Sequence, residues 1–393
     1  MGNEPSLRNK AAITGIGELK PLSNVGGRSS MSLICEAARL AIEDAGIEKD
    51  RIDGLMIAPP GFTMGMMMTP SYFTEYLKLK PTYANVVDFG GASATAMVLR
   101  AAAAIATGQC ETVLCLTGDA FDPRDFMEMM QKIQFSPEES QFEHPYGPMG
   151  VNYAYALAAQ RHMHEYGTTS EQLAKVAVDQ RTNACQNPDA LFYDQPITID
   201  HVLNSRLICD PLHLLDIVKP VSGAAAVIVS AENIARNGPH SPAWLLGAGE
   251  ALTHSVITYA PDLTTTPIVK SAARAFSMSG LTPKDMNLIS VYDCYTIMVI
   301  MSLEDAGFCK KGHGGSFVQE HDLTFSGDTP VNTHGGQLSF GQAGLAGGMS
   351  HVTEAVRQLR GNTGARQVND CEFAFVNGNG GVMSEECSLV LGR

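Results

Sequence analysis

Residues 331–361 read VNTHGGQLSFGQAGLAGGMSHVTEAVRQLRG: a histidine, then a glutamine, in glycine-rich backbone that runs straight into an amphipathic helix. An earlier stretch repeats the arrangement, with Asp88-Phe89-Gly90-Gly91-Ala92-Ser93 opening the apolar segment ATAMVLRAAAAIA. Free N–H groups and the positive end of the macrodipole face whatever lies ahead of a helix N-terminus. Glycine lets a ligand come close to that backbone. Such a junction suits a phosphate or a developing oxyanion. Taken singly, these glycines read as tight turns. Taken as a matched pair, with the late run Gly378-Asn379-Gly380-Gly381, they point to one shared site. The nearby side chains that can do chemistry are His334, a candidate general base, and Gln342, an amide donor. Ser93 reads more simply as a helix start.

Several chemistries are excluded by residue type. No GxxxxGK[ST] is present, and Gly15-Ile16-Gly17 lacks the third glycine of a dinucleotide fingerprint. A formal net charge of −14 argues against a nucleic-acid partner, because phosphate contacts need clustered Lys and Arg. The nine cysteines form no CxxC pair and no zinc-like spacing, so they read as reduced, mostly buried thiols. His162 and His164, with Glu165, look like metal ligands, but a helix turns an HxH pair onto different faces, so no metal is expected. His351 reads as an ordinary residue of an amphipathic helix. Arg100 interrupts the best apolar run, so no membrane span is expected. The N-terminus has neither a signal-peptide nor a transit-peptide pattern, and its Gly2…Ser6 match to a myristoylation pattern is too loose to carry weight. The expected location is the cytoplasm.

Internal repeats supply the elements that must position these residues. AARLAIEDAGIEKDRIDGLMI (37–57) aligns without gaps on SAARAFSMSGLTPKDMNLISV (271–291), placing Ala41 on Ala275, Gly46 on Gly280 and Ile57 on Val291. Each copy reads as a helix stopped by glycine, a short connection and a buried strand. Residues 90–119 run glycine turn, helix, apolar strand, and so do GGMSHVTEAVRQLRG and the CEFAFVNGNGG that follows it. This duplication predicts an α/β chain whose mixed sheets are covered by helices. Residues 1–119 and 216–240 are expected to form an N-terminal half and 241–393 a C-terminal half. Residues 120–215, polar and rich in Met and Pro, are expected to be an insertion that covers a site or meets a partner.

The blocks GIGELKPLSN, YALAAQRHMHEYGTT, YDCYTIMVIMSLEDAGF, NTHGGQLSFGQAGLAGGMSHVTEAVRQLRG and VNGNGG, in that order, resemble the thiolase superfamily, especially its sterol-carrier-protein (SCP-x) type. The resemblance spans essentially the whole chain. It implies a duplicated thiolase fold of five layers, α-β-α-β-α, with a loop domain in the first half. It also implies a homodimer, no bound cofactor, and a coenzyme A thioester as substrate. The departures from the family pattern matter more. Gly91 stands where a thiolase carries its nucleophilic cysteine. Gln342 replaces the histidine of the G-H-P motif. Tyr292, in Tyr292-Asp293-Cys294-Tyr295, stands where Asn or His would lie. Asn377 falls where the family places a catalytic Cys or His, and Cys294 reads as packing.

Covalent thiolysis needs a thiolate to take up the acyl group, and Gly91 has no side chain to supply one. Breaking the Cα–Cβ bond of a β-hydroxyacyl thioester needs only a cradled enolate and a base. The expected machinery is Tyr292, His334, Gln342 and Asn377, with Gly91, Ser93, Gly380 and Gly381 shaping the oxyanion site. Some thiolase relatives in bacterial steroid side-chain degradation are similar. They lack the cysteine, rely on tyrosines and act with a small zinc-ribbon/OB-fold partner that binds acyl-CoA. One of their tyrosines matches Tyr292, while a second falls near Gln342, so the chain resembles this group only in part. The expected activity is therefore retro-aldol cleavage. An acetyl-CoA acetyltransferase-type acyltransferase with an atypical site, and a non-catalytic acyl-CoA-binding subunit, stay open. The methionine-rich runs GFTMGMMMTP (61–70) and DFMEMMQKI (125–133) read as core or dimer contacts, or as an adaptable wall for a bulky acyl group.

Overall fold

The computed structural model of the chain describes residues 6–60, 67–121, 137–147, 150–344 and 346–393. The 125–133 methionine run and the myristoylation pattern at Gly2 lie outside these residues. Of the first methionine run, Met67 and Met68 are described, and both are exposed.

The strands are β1 (Ala11–Glu18), β2 (Gly54–Ile57), β3 (Tyr83–Val86), β4 (Thr112–Asp119), β5 (Leu207–Cys209), β6 (Leu212–His213), β7 (Gly223–Ala231), β8 (Ala243–Leu252), β9 (Leu288–Val291), β10 (Phe373–Gly380) and β11 (Glu385–Gly392). Nine of them form one mixed sheet in the order β3-β2-β4-β7-β1-β8-β11-β10-β9, and β5 and β6 pair apart. The order is a pseudo-palindrome about the short antiparallel contact of β1 with β8, where Ala12 faces Trp244 and Ile13 faces Ala243. On one side β1 leads to β7, β4 and β2; on the other β8 leads to β11, β10 and β9. The strand matching β3 is reduced to a single parallel bridge, Ile289 to Val331.

The repeats seen in the sequence map onto matching elements. Helix Ser30–Ala45 ends at Gly46 with φ +62°, and helix Ile268–Ser279 ends at Gly280 with φ +70°. Each is followed by a short 3-10 turn and then by β2 or β9. The Gly15-Ile16-Gly17 motif is a packing device. A Cβ on Gly15 or Gly17 would stand 2.3 Å from the Ala41 oxygen or 2.2 Å from the Ala37 oxygen, so helix Ser30–Ala45 lies directly on β1. Gly247 and Gly249 of β8 are related to helix Ile268–Ser279 in the same way, at 2.0 Å from Ala275 O and 2.2 Å from Ser271 O.

Side-chain alternation along the strands sorts the core into layers. Met56, Val113, Ala225, Val227, Ala374, Val376 and Leu389 pack against helices Ser93–Ala106 and Ala346–Arg360, which share one cluster between the two halves of the sheet. Leu55, Ile57, Leu114, Ala226 and Ile228 face helix Ser30–Ala45 on one outer side. Ile289, Val291, Phe375 and Val390 face helix Ile268–Ser279 on the other. The resulting order, helix, sheet, helices, sheet, helix, is the layering that the resemblance implied.

Between β4 and β7 the chain forms helices Asn152–Tyr166 and Ser170–Cys185. They dock on the second half. The Tyr155 and Tyr295 rings stack at 4.2 Å, His162 Nε2 lies 3.1 Å from Glu304, and Asn183 donates to the Val331 carbonyl at 3.0 Å. Helix Asn152–Tyr166 does split its HxH pair, with His162 buried and His164 exposed. Among the described residues, no group of His, Cys, Asp and Glu side chains could hold a metal ion, and no helix is long and apolar enough to cross a membrane.

Candidate active site

The two glycine-to-helix junctions meet. Ahead of helix Ser93–Ala106, the Phe89–Gly91 turn packs on the end of β10: a Cβ on Gly380 would stand 2.0 Å from Phe89 O. One on Gly348, in the first turn of helix Ala346–Arg360, would stand 2.1 Å from Gly91 O. These approaches leave no room for a side chain, which explains why both runs are bare. Gly381, at φ +60°, completes the contact, with its nitrogen 3.0 Å from the Cβ position of Gly90.

Tyr292 enters this meeting point from the end of β9, where its N–H donates to the Asn377 carbonyl at 3.0 Å. A Cβ built on Gly91 would fall 2.4 Å from Cε2 and Cζ of Tyr292 and 2.4 Å from Asn379 O. The phenol ring thus fills the space in which a side chain at position 91 would project. Burial pushes the Tyr292 phenol well above its ordinary value; Cys294 and Asp293 add to that, and the Gln342 and Gln337 amides oppose it. At neutral pH the group is an O–H.

Gln342 comes from the other side. Gly341, at φ +115°, turns the chain out of helix Gly336–Phe340. The Gln342 backbone then bonds to the segment before β7: its N–H donates to Lys219 O at 3.1 Å and its carbonyl accepts from Val221 N at 2.9 Å. So anchored, its Nε2 donates to the Tyr292 hydroxyl at 2.9 Å. Gln342 is only half-buried, so the Tyr292–Gln342 pair lies at an open edge of the junction.

The remaining expected site residues are set apart from this pair. The Ser93 hydroxyl is spent on its own turn: it donates to Gly90 O at 2.7 Å and accepts from Phe89 N at 2.9 Å. The Asn377 side chain is spent within the sheet, where its Nδ2 donates to Glu386 at 2.8 Å and its Oδ1 accepts from Ser388 at 2.7 Å. The asparagine of that strand at the junction is Asn379. Its carbonyl abuts Gly91 and its amide donates to the Tyr155 hydroxyl at 2.9 Å. His334 is 1% exposed, and its Nε2 lies 3.2 Å from Ser350 Oγ. Its ring packs on Phe340 and His351, with no hydrogen bond to Tyr292 or Gln342. Burial, with help from His351, keeps that imidazole well below its ordinary value and therefore neutral. Cys294 is buried, and burial pushes its thiol up to about 12, which suits packing and not attack.

Residues missed in the sequence stand behind Tyr292. Asp293, Gln337 and His351 are fully buried and mutually bonded. Helix Ala346–Arg360 is enclosed on every side except at Arg357 and Arg360, so its amphipathic appearance gave no sign that His351 faces inward.

Family models match both parts of the chain: "Thiolase, N-terminal domain" over residues 10–211 and "Thiolase C-terminal domain-like" over residues 249–393. The chain belongs to the thiolase family. It is 36% identical to the steroid side-chain-cleaving aldolase of Thermomonospora curvata, with 98% of each chain covered. It is 34% identical to the 17-hydroxy-3-oxo-4-pregnene-20-carboxyl-CoA lyase of Mycobacterium tuberculosis, covering 98% of this chain and 100% of that one. The solved Ltp2-ChsH2(DUF35) aldolase superposes with a TM-score of 0.88 at 34% identity, covering 99% of both chains.

Proposed function

We propose that this chain is a thiolase-fold lyase that cleaves the Cα–Cβ bond of a β-hydroxyacyl-CoA by a retro-aldol reaction. The observation that carries this is the Tyr292 ring in the place of a residue-91 side chain, with the Gln342 amide on its oxygen. The β-hydroxyl proton passes to solvent water at the open edge beside Gln342, and the oxygen it leaves becomes a carbonyl. The Cα–Cβ electron pair passes into the thioester as an enolate, and a proton returned to Cα gives the shortened acyl-CoA. Tyr292, held neutral, donates its O–H to this enolate, and Gln342 is the second donor. A preorganised donor of this kind supplies roughly 3 kcal/mol at the transition state. Acyl transfer has no nucleophile here, because Gly91 has no side chain, the Ser93 hydroxyl is committed and the Cys294 thiol stays protonated.

The relatives named a steroid side-chain-cleaving aldolase and a 17-hydroxy-3-oxo-4-pregnene-20-carboxyl-CoA lyase support a bulky, ring-bearing acyl group on the coenzyme A thioester. The solved aldolase supports a partner with a DUF35 domain, in line with the zinc-ribbon/OB-fold partner expected from the sequence. A homodimer is supported by β3, an edge strand whose Val86 is 46% exposed. Nine unpaired cysteines support a reducing location such as the cytoplasm.

The test is to incubate the protein, with and without a DUF35-domain partner, with a ring-bearing β-hydroxyacyl-CoA. A shortened acyl-CoA and a free carbonyl compound should appear with no acyl adduct in the intact-protein mass. Tyr292→Phe should lower kcat by about 100-fold. Unchanged turnover in that variant, or a stable acyl-enzyme, overturns the reading.

A further inference from the structure

Behind the Tyr292 ring lies a closed polar cluster that the proposed reaction does not use. Ser290, Asp293, Gln337 and His351 are all 0% exposed. His351 Nδ1 lies 3.0 Å from Ser290 Oγ, and its Nε2 lies 3.2 Å from Asp293 Oδ1. Asp293 also accepts the backbone N–H of Gln337 at 2.8 Å and of Leu338 at 3.1 Å, at the start of helix Gly336–Phe340. The Gln337 amide bridges the cluster to the site, because its side-chain nitrogen is 3.2 Å from His351 Nε2 and the same amide counters the rise that burial imposes on the Tyr292 phenol. The His351 and Tyr292 ring centroids are 6.1 Å apart.

Donor and acceptor counting orders this chain. The His351 nitrogen that faces the Asp293 carboxyl group must carry a proton. It then cannot accept from Gln337. Gln337 Oε1 has no partner as placed. Turning the amide end for end brings that oxygen to the His351 N–H, so the two side chains pair as acceptor and donor and the Tyr292 O–H stays free for substrate. Burying an acid, an imidazole and an amide costs free energy that apolar side chains of the same size would not. Packing alone therefore does not account for them, whereas fixing the orientation of a neighbour does.

We propose that His351 is a positioning residue for Tyr292: anchored on Asp293 and Ser290, it holds Gln337 against the phenol and fixes where the Tyr292 oxygen stands relative to Gln342. The site then has two tiers. The outer pair, Tyr292 and Gln342, meets substrate, and the inner one, Asp293, His351 and Gln337, sets its geometry. The kinetic part of this inference rests on the retro-aldol reading, but the positioning itself does not.

The test uses the full chain with its partner and two variants. His351→Gln keeps a donor for Asp293 but cannot span Ser290 and Gln337 together. Gln337→Met leaves the Asp293–His351 contact whole and removes only the bridge, so it serves if the first variant fails to fold. The direct readout is the tyrosine 13Cζ NMR spectrum, in which the resonance missing from Tyr292→Phe belongs to Tyr292. That resonance should move in both variants. Where wild type turns over a β-hydroxyacyl-CoA, kcat should fall roughly 10- to 100-fold while KM stays within about twofold. An unmoved resonance in the folded variants overturns the inference, and so does an equal kcat. If wild type has no lyase activity, the proposed function fails, and the resonance alone decides the positioning role.

Discussion

The ring of Tyr292 and the bare Cα of Gly91 are complementary: a Cβ added to Gly91 would come 2.4 Å from two carbons of the phenol. The missing nucleophile and the unusual tyrosine are thus one structural fact. The ring can reach the junction because position 91 has no side chain, and position 91 tolerates none because the ring is there. Restoring cysteine alone is therefore expected to give neither a thiolase nor an intact lyase.

Gly91→Cys should overpack the junction and cost about 1–3 kcal/mol, measured by urea denaturation. Adding Tyr292→Ala should return part of that loss, with a coupling of about 1 kcal/mol in a double-mutant cycle. The return stays partial because Asn379 O also stands 2.4 Å from the new atom. Strict additivity of the two changes would separate the glycine from the ring.

Gln342→Leu removes the amide that donates to the Tyr292 hydroxyl at 2.9 Å. Loss of one such donor should lower kcat of β-hydroxyacyl-CoA cleavage by about 100-fold. Because Gln342 is half-buried, the loss of global stability should stay near 1 kcal/mol. Steady-state kinetics and a thermal melt on the same preparation separate the two effects.

Acid stability should depend on Glu354. Burial alone would raise its carboxyl, but the Arg366 and Arg357 guanidiniums hold it at about 2, with Arg366 Nη2 at 3.0 Å. A carboxyl depressed on folding stabilises the protein above its unfolded value and loses that contribution as pH falls through the folded one. Roughly 3 kcal/mol should thus disappear between about pH 4.5 and pH 2. Denaturation across that window should show a flatter slope for Glu354→Gln than for wild type.

Val86→Lys places a charge on the exposed edge strand β3. Charged residues on an edge block strand-to-strand association. Sedimentation should show the wild-type dimer and a variant shifted to monomer. A variant that stays dimeric moves the interface elsewhere.

Much of this architecture was legible from the repeats. The gap-free alignment of 37–57 on 271–291 anticipates the paired helices, their glycine stops and strands β2 and β9, because apolar period and glycine placement are local signals. The glycine junctions were legible as one site for the same reason. Which side chains enter it was less so. Asn377 and Asn379 share one face of β10, and only the tertiary neighbours decide that the first is tied to Glu386 and Ser388 while the second reaches Tyr155 and Gly91. His334 lies just ahead of the first glycine pair in sequence, yet it is His351, packed against the His334 ring at 5.0 Å, whose ring stands behind Tyr292. The double glycine of β1 and β8 was visible only as one lone motif, since its partner strand reads GAG in a different context.

The helices inserted into the first half are fastened to the second, through His162 on Glu304 and Tyr155 on Tyr295. A fragment ending near residue 240 would leave that histidine without its carboxylate and that ring without its stacking partner. The chain therefore resists bisection despite its duplicated ancestry, and lyase turnover, which needs both junctions closed, doubles as a sensor of cooperative folding across the entire polypeptide.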